Sequence, residues 1–198
     1  PFVAVHPNTH AVVGYFEFRE HVLDGWSTVY PVPSETAQAL INSPVPVKAL
    51  YITIKRYMSC WARETNAKNF VVGISGGKDS TVVAMLLCAI FGKERVYGVM
   101  MPQGEQSDIQ DSIDVCNILG IHQTMVNIGG SVSAITDEIY KNRSKSGIYP
   151  TKDMDINLPA RIRMATLHAI GQCVDGRVIN TSNLSEDMVG YATQFGDN

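Results

Sequence analysis

From Val47 onward the apolar positions fall into alternating blocks with two different periods. Leu50, Ile54, Tyr57 and Trp61 recur at helical spacing and predict an amphipathic helix with one apolar stripe. Phe70, Val71, Val72, Gly73 and Ile74 form a short apolar run, the signature of a strand buried on both faces. Residues 79–91 are apolar almost all round and predict a buried helix ended by Gly92. Residues 96–101 read as a second buried strand. Ser107, Asp108, Ile109 and Gln110 have the form of a capping box, opening a helix that runs through Leu119 and stops at Gly120. A third strand over 121–128 and a helix over 131–141 follow. Residues 142–155 are polar, with Gly147 and Pro150, and predict a mobile loop. The spacing then predicts a helix over 157–173, with Pro159 in its first turn, and a short strand over 177–181.

Strands alternating with helices predict an α/β three-layer sandwich, a parallel sheet covered by helices on both faces. Ligands collect at the carboxyl ends of the strands in such sheets. The chemically rich loops, 75–80, 102–108 and 182–187, each follow a strand. The first 33 residues are less regular. Val3, Val5, Val12, Val13, Tyr15, Phe16 and Phe18 are apolar around a turn at His6, Pro7 and Asn8, which fits a pair of short strands, an irregular arm or an interface. Prolines 31, 33, 44 and 46 bracket a short helical stretch near 35–41. Residues 1–46 are therefore taken as an N-terminal arm and 47–198 as the main domain.

Composition narrows the function classes. A net charge of −3 gives no basic stripe for a nucleic-acid partner. No apolar run is long enough to span a bilayer. Cys60, Cys88, Cys116 and Cys173 are too far apart for a CxxC redox or zinc pattern. Cys88 and Cys116 sit in apolar helical patterns that suggest packing, and a reduced, cytoplasmic setting is expected. His6, His10, His21, His122 and His168 show no metal-ligand spacing.

The strongest chemical signal is Ser75, Gly76, Gly77, Lys78, Asp79 and Ser80 between a strand and a helix. Two glycines let the backbone turn tightly and bring its N–H groups onto an anion. The helix that follows points its positive end at the same place. Ser75 and Ser80 add hydroxyls, and Lys78 adds charge or faces solvent. Asp79 repels a phosphate unless a divalent cation lies between them, and Mg²⁺, which binds through a carboxylate or two plus substrate phosphates, is the expected mediator. A Walker loop is excluded, because it needs Gly at 72 and Ser or Thr at 79 where the chain has Val72 and Asp79. The G-x-G-x-x-G dinucleotide fingerprint is absent too.

The string SGGKDS after a buried strand resembles the pyrophosphate loop of the N-type ATP pyrophosphatases. Two further strings narrow the resemblance: the run from Asn157 through Pro159, Arg161 and Arg163 to Met164, and the run from Asn180 through Thr181, Asn183 and Glu186 to Asp197. With Met101, Pro102 and Gln106 they are similar, in order and spacing, to NAD synthetase of the NH3-dependent type, over about 47–197. The resemblance implies an adenine nucleotide alpha hydrolase-like fold. It also implies amidation of nicotinic acid adenine dinucleotide to NAD, in which the carboxylate attacks ATP, an adenylated intermediate forms, pyrophosphate leaves, and ammonia displaces AMP. The alternatives are another ligase built on the same loop, or an ATP-binding domain with impaired catalysis.

The roles implied by the resemblance are as follows. Ser75, Gly76, Gly77, Lys78, Asp79 and Ser80 hold the phosphates of ATP, helped by the hydroxyl of Thr181. Asp79 and Glu186 are the Mg²⁺ ligands; a helix cap after Asn183 is the plainer reading of Glu186. Met101 and Gln106 lie on the adenine side, with plain core packing the alternative for Met101. Asn157 and Arg161 contact the dinucleotide substrate; an N-cap and a surface arginine are their plainer readings. Asp197 stands beside the ammonia and nicotinate site and, with Asp79 and Thr181, completes the catalytic set. The family is homodimeric, and the helix bearing Leu50 and Trp61 is a candidate for that contact, with packing on its own core the plainer reading. The family continues past the Gly-Asp pair, so the domain is expected to lack its C-terminal part, including a lysine that stabilises the transferring phosphate. A fused glutaminase domain does not fit before Val47, so free ammonia is the expected nitrogen donor unless a separate subunit or a missing segment supplies it.

Overall fold

The computed structural model describes residues 2–5, 12–16, 28–31, 47–183, 186 and 192–196. Two compact units are present, Pro1–Ile54 and Lys55–Asn198. In the first, β1 (Phe2–Val5) is the middle strand of an antiparallel sheet, flanked by β2 (Val12–Phe16) and β3 (Thr28–Pro31). The helical stretch expected near 35–41 lies outside the described residues. Helix α1 (Val47–Glu64) carries the chain from the first unit into the second.

The second unit holds a four-stranded sheet in the order β6-β5-β4-β7, every neighbouring pair parallel. Its strands are β4 (Asn69–Gly73), β5 (Val96–Met100), β6 (His122–Met125) and β7 (Gly176–Val178). The helices are α2 (Lys78–Phe91), α3 (Ile109–Leu119), α4 (Gly129–Ser146) and α5 (Lys152–Cys173). Phe70, Val71 and Val72 are wholly buried because β4 is covered on both faces. Phe70, Val72 and Ile74 point to one side and pack with Ala84 and Leu87 of α2 and Cys116 of α3. On the other side α5 packs on β4 and β7, with Leu167 over Gly73. Three layers result, as the alternating pattern predicts. Burial pushes the Cys116 thiol up, and burial with the charge of Glu94 does the same for Cys88, so both thiols stay protonated and act as packing groups.

Three local expectations are corrected. The stretch 142–155 is mostly helical: α4 continues to Ser146 and α5 begins at Lys152. Lys141 pairs with Glu138 at 2.8 Å and the Asn142 amide donates to the Glu138 carbonyl, so polar residues extend the turn until Gly147, at φ +71°, ends it. Thr151 caps α5 by accepting from the Met154 N–H, which places Asn157 and Pro159 inside the helix rather than at its start. The capping box at Ser107 does not form either. The helix there opens at Ile109 after Asp108, without a side-chain cap, so Gln110 is its second residue and not the third, and its amide donates forward to Asp114 at 2.8 Å. Finally, β6 is shorter than 121–128 and all four of its residues are exposed, as befits an edge strand.

Candidate active site

The sheet grows in one direction from β4 through β5 to β6, then returns so that β7 lies on the other side of β4. The loops after β4 and β7 therefore leave the sheet from adjacent strands, at the switch point where open α/β sheets bind ligands. Val71 pairs with Val178, and the Ile179 N–H donates to the Val71 carbonyl at 2.9 Å. This brings the glycine-rich loop beside the segment carrying Thr181, both reached from the carboxyl edge.

The glycine-rich loop is wired by its own side chains. Ser80 is nearly fully buried, and its Oγ accepts from the Ser75 N–H at 3.3 Å and donates to the Gly77 carbonyl at 3.2 Å. The Ser75 and Ser80 hydroxyls lie 3.1 Å apart, and Ser75 Oγ accepts from the Gly77 N–H at 3.2 Å. Since the single Ser80 proton goes to Gly77, the Ser75 proton goes to Ser80. Thr81 adds a bond from its Oγ1 to the Gly77 carbonyl at 2.8 Å. Gly76 sits at φ +78°, and a Cβ there would lie 2.9 Å from Asp111 Cβ and 3.1 Å from Ser112 N. Only glycine suits that conformation and that gap. Gly77, the N-cap of α2, has no side-chain cap, so the first N–H groups of the helix have neither an intrahelical acceptor nor a capping one. An uncapped helix start behind a tight glycine turn is an anion-binding arrangement. Lys78 is exposed and Asp79 half-buried in the first turn of that helix.

The segment after β7 is also locally wired. Asn180 Oδ1 accepts from the Ser182 N–H at 2.8 Å. Asn183 and Glu186 exchange bonds of 3.0 Å, Asn183 Oδ1 accepting from Glu186 N and Glu186 Oε2 from Asn183 N. That is a reciprocal capping box, so the plainer reading of Glu186 is present in the geometry. Among the described residues, only its Oε2 accepts a hydrogen bond. Thr181 is half-buried in the same segment. Asn157 and Arg161 stand one turn apart on α5 and hold residues 192–196: Thr193 Oγ1 donates to Asn157 Oδ1 at 2.9 Å and Arg161 Nε to the Gln194 carbonyl at 3.2 Å. Met101 is half-buried over Gly73, and its carbonyl accepts from Arg163 Nε at 3.2 Å. Gln106 is half-buried in the loop after β5. Asp197 lies outside the described residues. Sequence reasoning passed over Asp111 and Ser112, which wall the glycine loop, and Asn127, which holds the loop after β5; nothing local in the sequence marks these as contacts.

The sequence model of the NAD synthase family matches residues 50–198, three quarters of the chain. The chain belongs to the NAD synthase family. Among its relatives, the NH3-dependent NAD(+) synthetase of Thermococcus kodakarensis is 35% identical over 150 residues, covering 76% of this chain and 56% of that protein. The enzyme of the same description from Methanococcus aeolicus is 40% identical over 141 residues, covering 68% and 52%. The chain thus spans about half the length of the curated relatives it matches. Among solved structures, an NH3-dependent NAD synthetase from Campylobacter jejuni superposes with a TM-score of 0.67 at 26% identity, over 78% of this chain and 64% of that one. An NMN synthetase from Francisella tularensis gives a TM-score of 0.67 at 27% identity, over 78% and 62%. The α/β fold with its parallel sheet is that of these NAD synthase family members.

Proposed function

We propose that this chain binds ATP at the carboxyl edge of β4 and β7 and uses it to adenylate the carboxylate of nicotinic acid adenine dinucleotide, which ammonia then converts to NAD with release of AMP. The observation that carries this reading is the pairing of β4 with β7, which makes the glycine-rich loop and the Thr181 segment neighbours. The uncapped start of α2 and the turn at Gly76 would receive the departing pyrophosphate, with the Ser75 and Ser80 hydroxyls fixing the loop. Thr181 would meet the phosphates from the other side. Met101 and Gln106 would border the base, and Asn157 and Arg161 the dinucleotide. Asp197 is retained as the candidate group that orients ammonia.

Magnesium fits the donor set as an ion accompanying the triphosphate. Among the described residues no group of three or more His, Cys, Asp or Glu forms a ready cage. Mg²⁺ does not need one, since it binds through one or two carboxylates plus phosphates and water. Asp79 and the second oxygen of Glu186 would hold it, and the ion would offset phosphate charge. All four cysteines are free thiols, which suits a reducing compartment such as the cytoplasm. A homodimer is part of the same proposal.

The test supplies ATP, Mg²⁺, ammonium and either the dinucleotide acid or the corresponding mononucleotide acid. NAD and AMP in equal amounts are expected with the dinucleotide. The mononucleotide arm is included because the Francisella neighbour, named for making NMN, matches as well as the Campylobacter enzyme. Amidation of the mononucleotide alone would transfer the proposal to that acceptor. AMP formed only with an unrelated acceptor would point to another ligase, and bound ATP without turnover to a nucleotide-binding domain.

A further inference from the structure

The β5–β6 ladder does not end with its last paired residues, Met100 and Met125. Val126 N–H donates to the Met100 carbonyl at 2.9 Å and Ile128 N–H to the Pro102 carbonyl at 2.8 Å. The next rung is made by a side chain. Asn127 Oδ1 accepts from the Gly104 N–H at 3.0 Å, and Asn127 Nδ2 donates to the Gly104 carbonyl at 3.0 Å. One carboxamide thus satisfies both backbone groups of a residue 23 positions away.

The same oxygen also accepts from the Gly129 N–H at 2.9 Å, at the start of α4, where Ile128 supplies no side-chain cap. Space around the clip is tight. A Cβ on Gly129 would lie 2.9 Å from Gly104 N and 3.1 Å from Asn127 Oδ1, and Gly104 itself stands at φ +81°. Three elements therefore meet at one amide: the loop after β5, the end of β6 and the start of α4. The chemistry needs a donor and an acceptor on one short side chain. Aspartate keeps the two acceptor bonds and loses the donor; alanine loses all three.

We propose that Asn127 is a positioning residue for the base side of the nucleotide site: by clipping Gly104 it fixes the loop that carries Gln106. This rests on the reading, given above, that residues 101–106 border the base of ATP. Asn127 stays away from the phosphate loop, whose own bonds do not pass through it. Its effect should accordingly fall on the base half of the ligand and not on the phosphate half.

The experiment compares the wild-type chain with Asn127→Ala and Asn127→Asp, measuring affinity for Mg·ATP and for Mg·pyrophosphate, and hydrogen exchange over residues 102–106. Asn127 is exposed, so water partly replaces the lost bonds, and alanine should weaken ATP about threefold to tenfold. Pyrophosphate affinity should not change, exchange at 102–106 should accelerate, and the aspartate variant should fall between the other two. Parallel loss of ATP and pyrophosphate affinity would mean general damage and would overturn the proposal. Unchanged ATP affinity in the alanine variant would overturn it as well. A wild-type chain that binds pyrophosphate but not ATP would overturn the nucleotide reading and the base-side role together. The exchange measurement would then still show whether Asn127 holds Gly104.

Discussion

The loops after β4 and β5 sit side by side at one edge of the sheet, yet they are held in opposite ways. The glycine-rich loop is tied by residues close in sequence: Ser75, Gly77, Ser80 and Thr81 bond to one another. The loop after β5 is tied from afar, with Arg163 on the Met101 carbonyl, Ile128 on the Pro102 carbonyl and Asn127 on both groups of Gly104. A locally tied loop keeps its shape wherever its strand and helix are intact. A remotely tied loop takes its shape from the rest of the fold, and can be retuned by residues that never touch the ligand.

One contact crosses this division and offers the hardest test of it. Gly76, in the locally tied loop, leans on Asp111 and Ser112 of α3. Gly76→Ala should strain the positive φ and drive a Cβ into that wall, costing about 2–3 kcal/mol of stability. Phosphate affinity should fall more than stability does, measured by pyrophosphate titration alongside thermal melting. An alanine variant that still binds pyrophosphate normally would show that local bonds alone shape the loop.

A middle-sized effect is expected from Ser80→Ala, which removes the hub of the local network and leaves the wall intact. A loss of about 1–2 kcal/mol is expected in denaturant unfolding, since the Ser75 N–H and the Gly77 carbonyl each lose a partner. The smallest effect belongs to Ser112→Ala. The Ser112 hydroxyl is wholly buried and has no hydrogen-bond partner among the described residues, so its removal should leave stability within about 0.5 kcal/mol or raise it slightly. A clear loss of phosphate affinity in that variant, with stability unchanged, would mean that the hydroxyl serves the loop when an anion is bound.

The same division decides what could be read from sequence. The strand, glycine turn and helix over 70–91 were legible because burial, turn and helix start are each encoded within a few residues. The β4–β7 adjacency was not, since it depends on a return crossover and not on any local signal. The stretch 142–155 read as a loop because the end of α4 has no apolar period; its support is polar, through Glu138, Lys141 and Asn142. The capping box expected at Ser107 had the right letters, but the helix opens at Ile109, one position too late for the Ser107–Gln110 spacing to serve. Glu186 illustrates the opposite case: its spacing from Asn183 announced a cap, and that cap forms. Asn157 and Arg161 were singled out as separate contacts to a dinucleotide; their engagement with residues 193–194 had no signature in the string.

The lean of Gly76 on α3 also bears on when the protein acquires its chemistry. The wall at Asp111 and Ser112 is synthesised some thirty-five residues after the turn it shapes, beyond β5 and its loop. A short peptide bearing the six loop residues, or a nascent chain ending before α3, would contain the whole glycine turn and still lack the wall it leans on. The packing around the turn is thus completed only when a later helix docks against it.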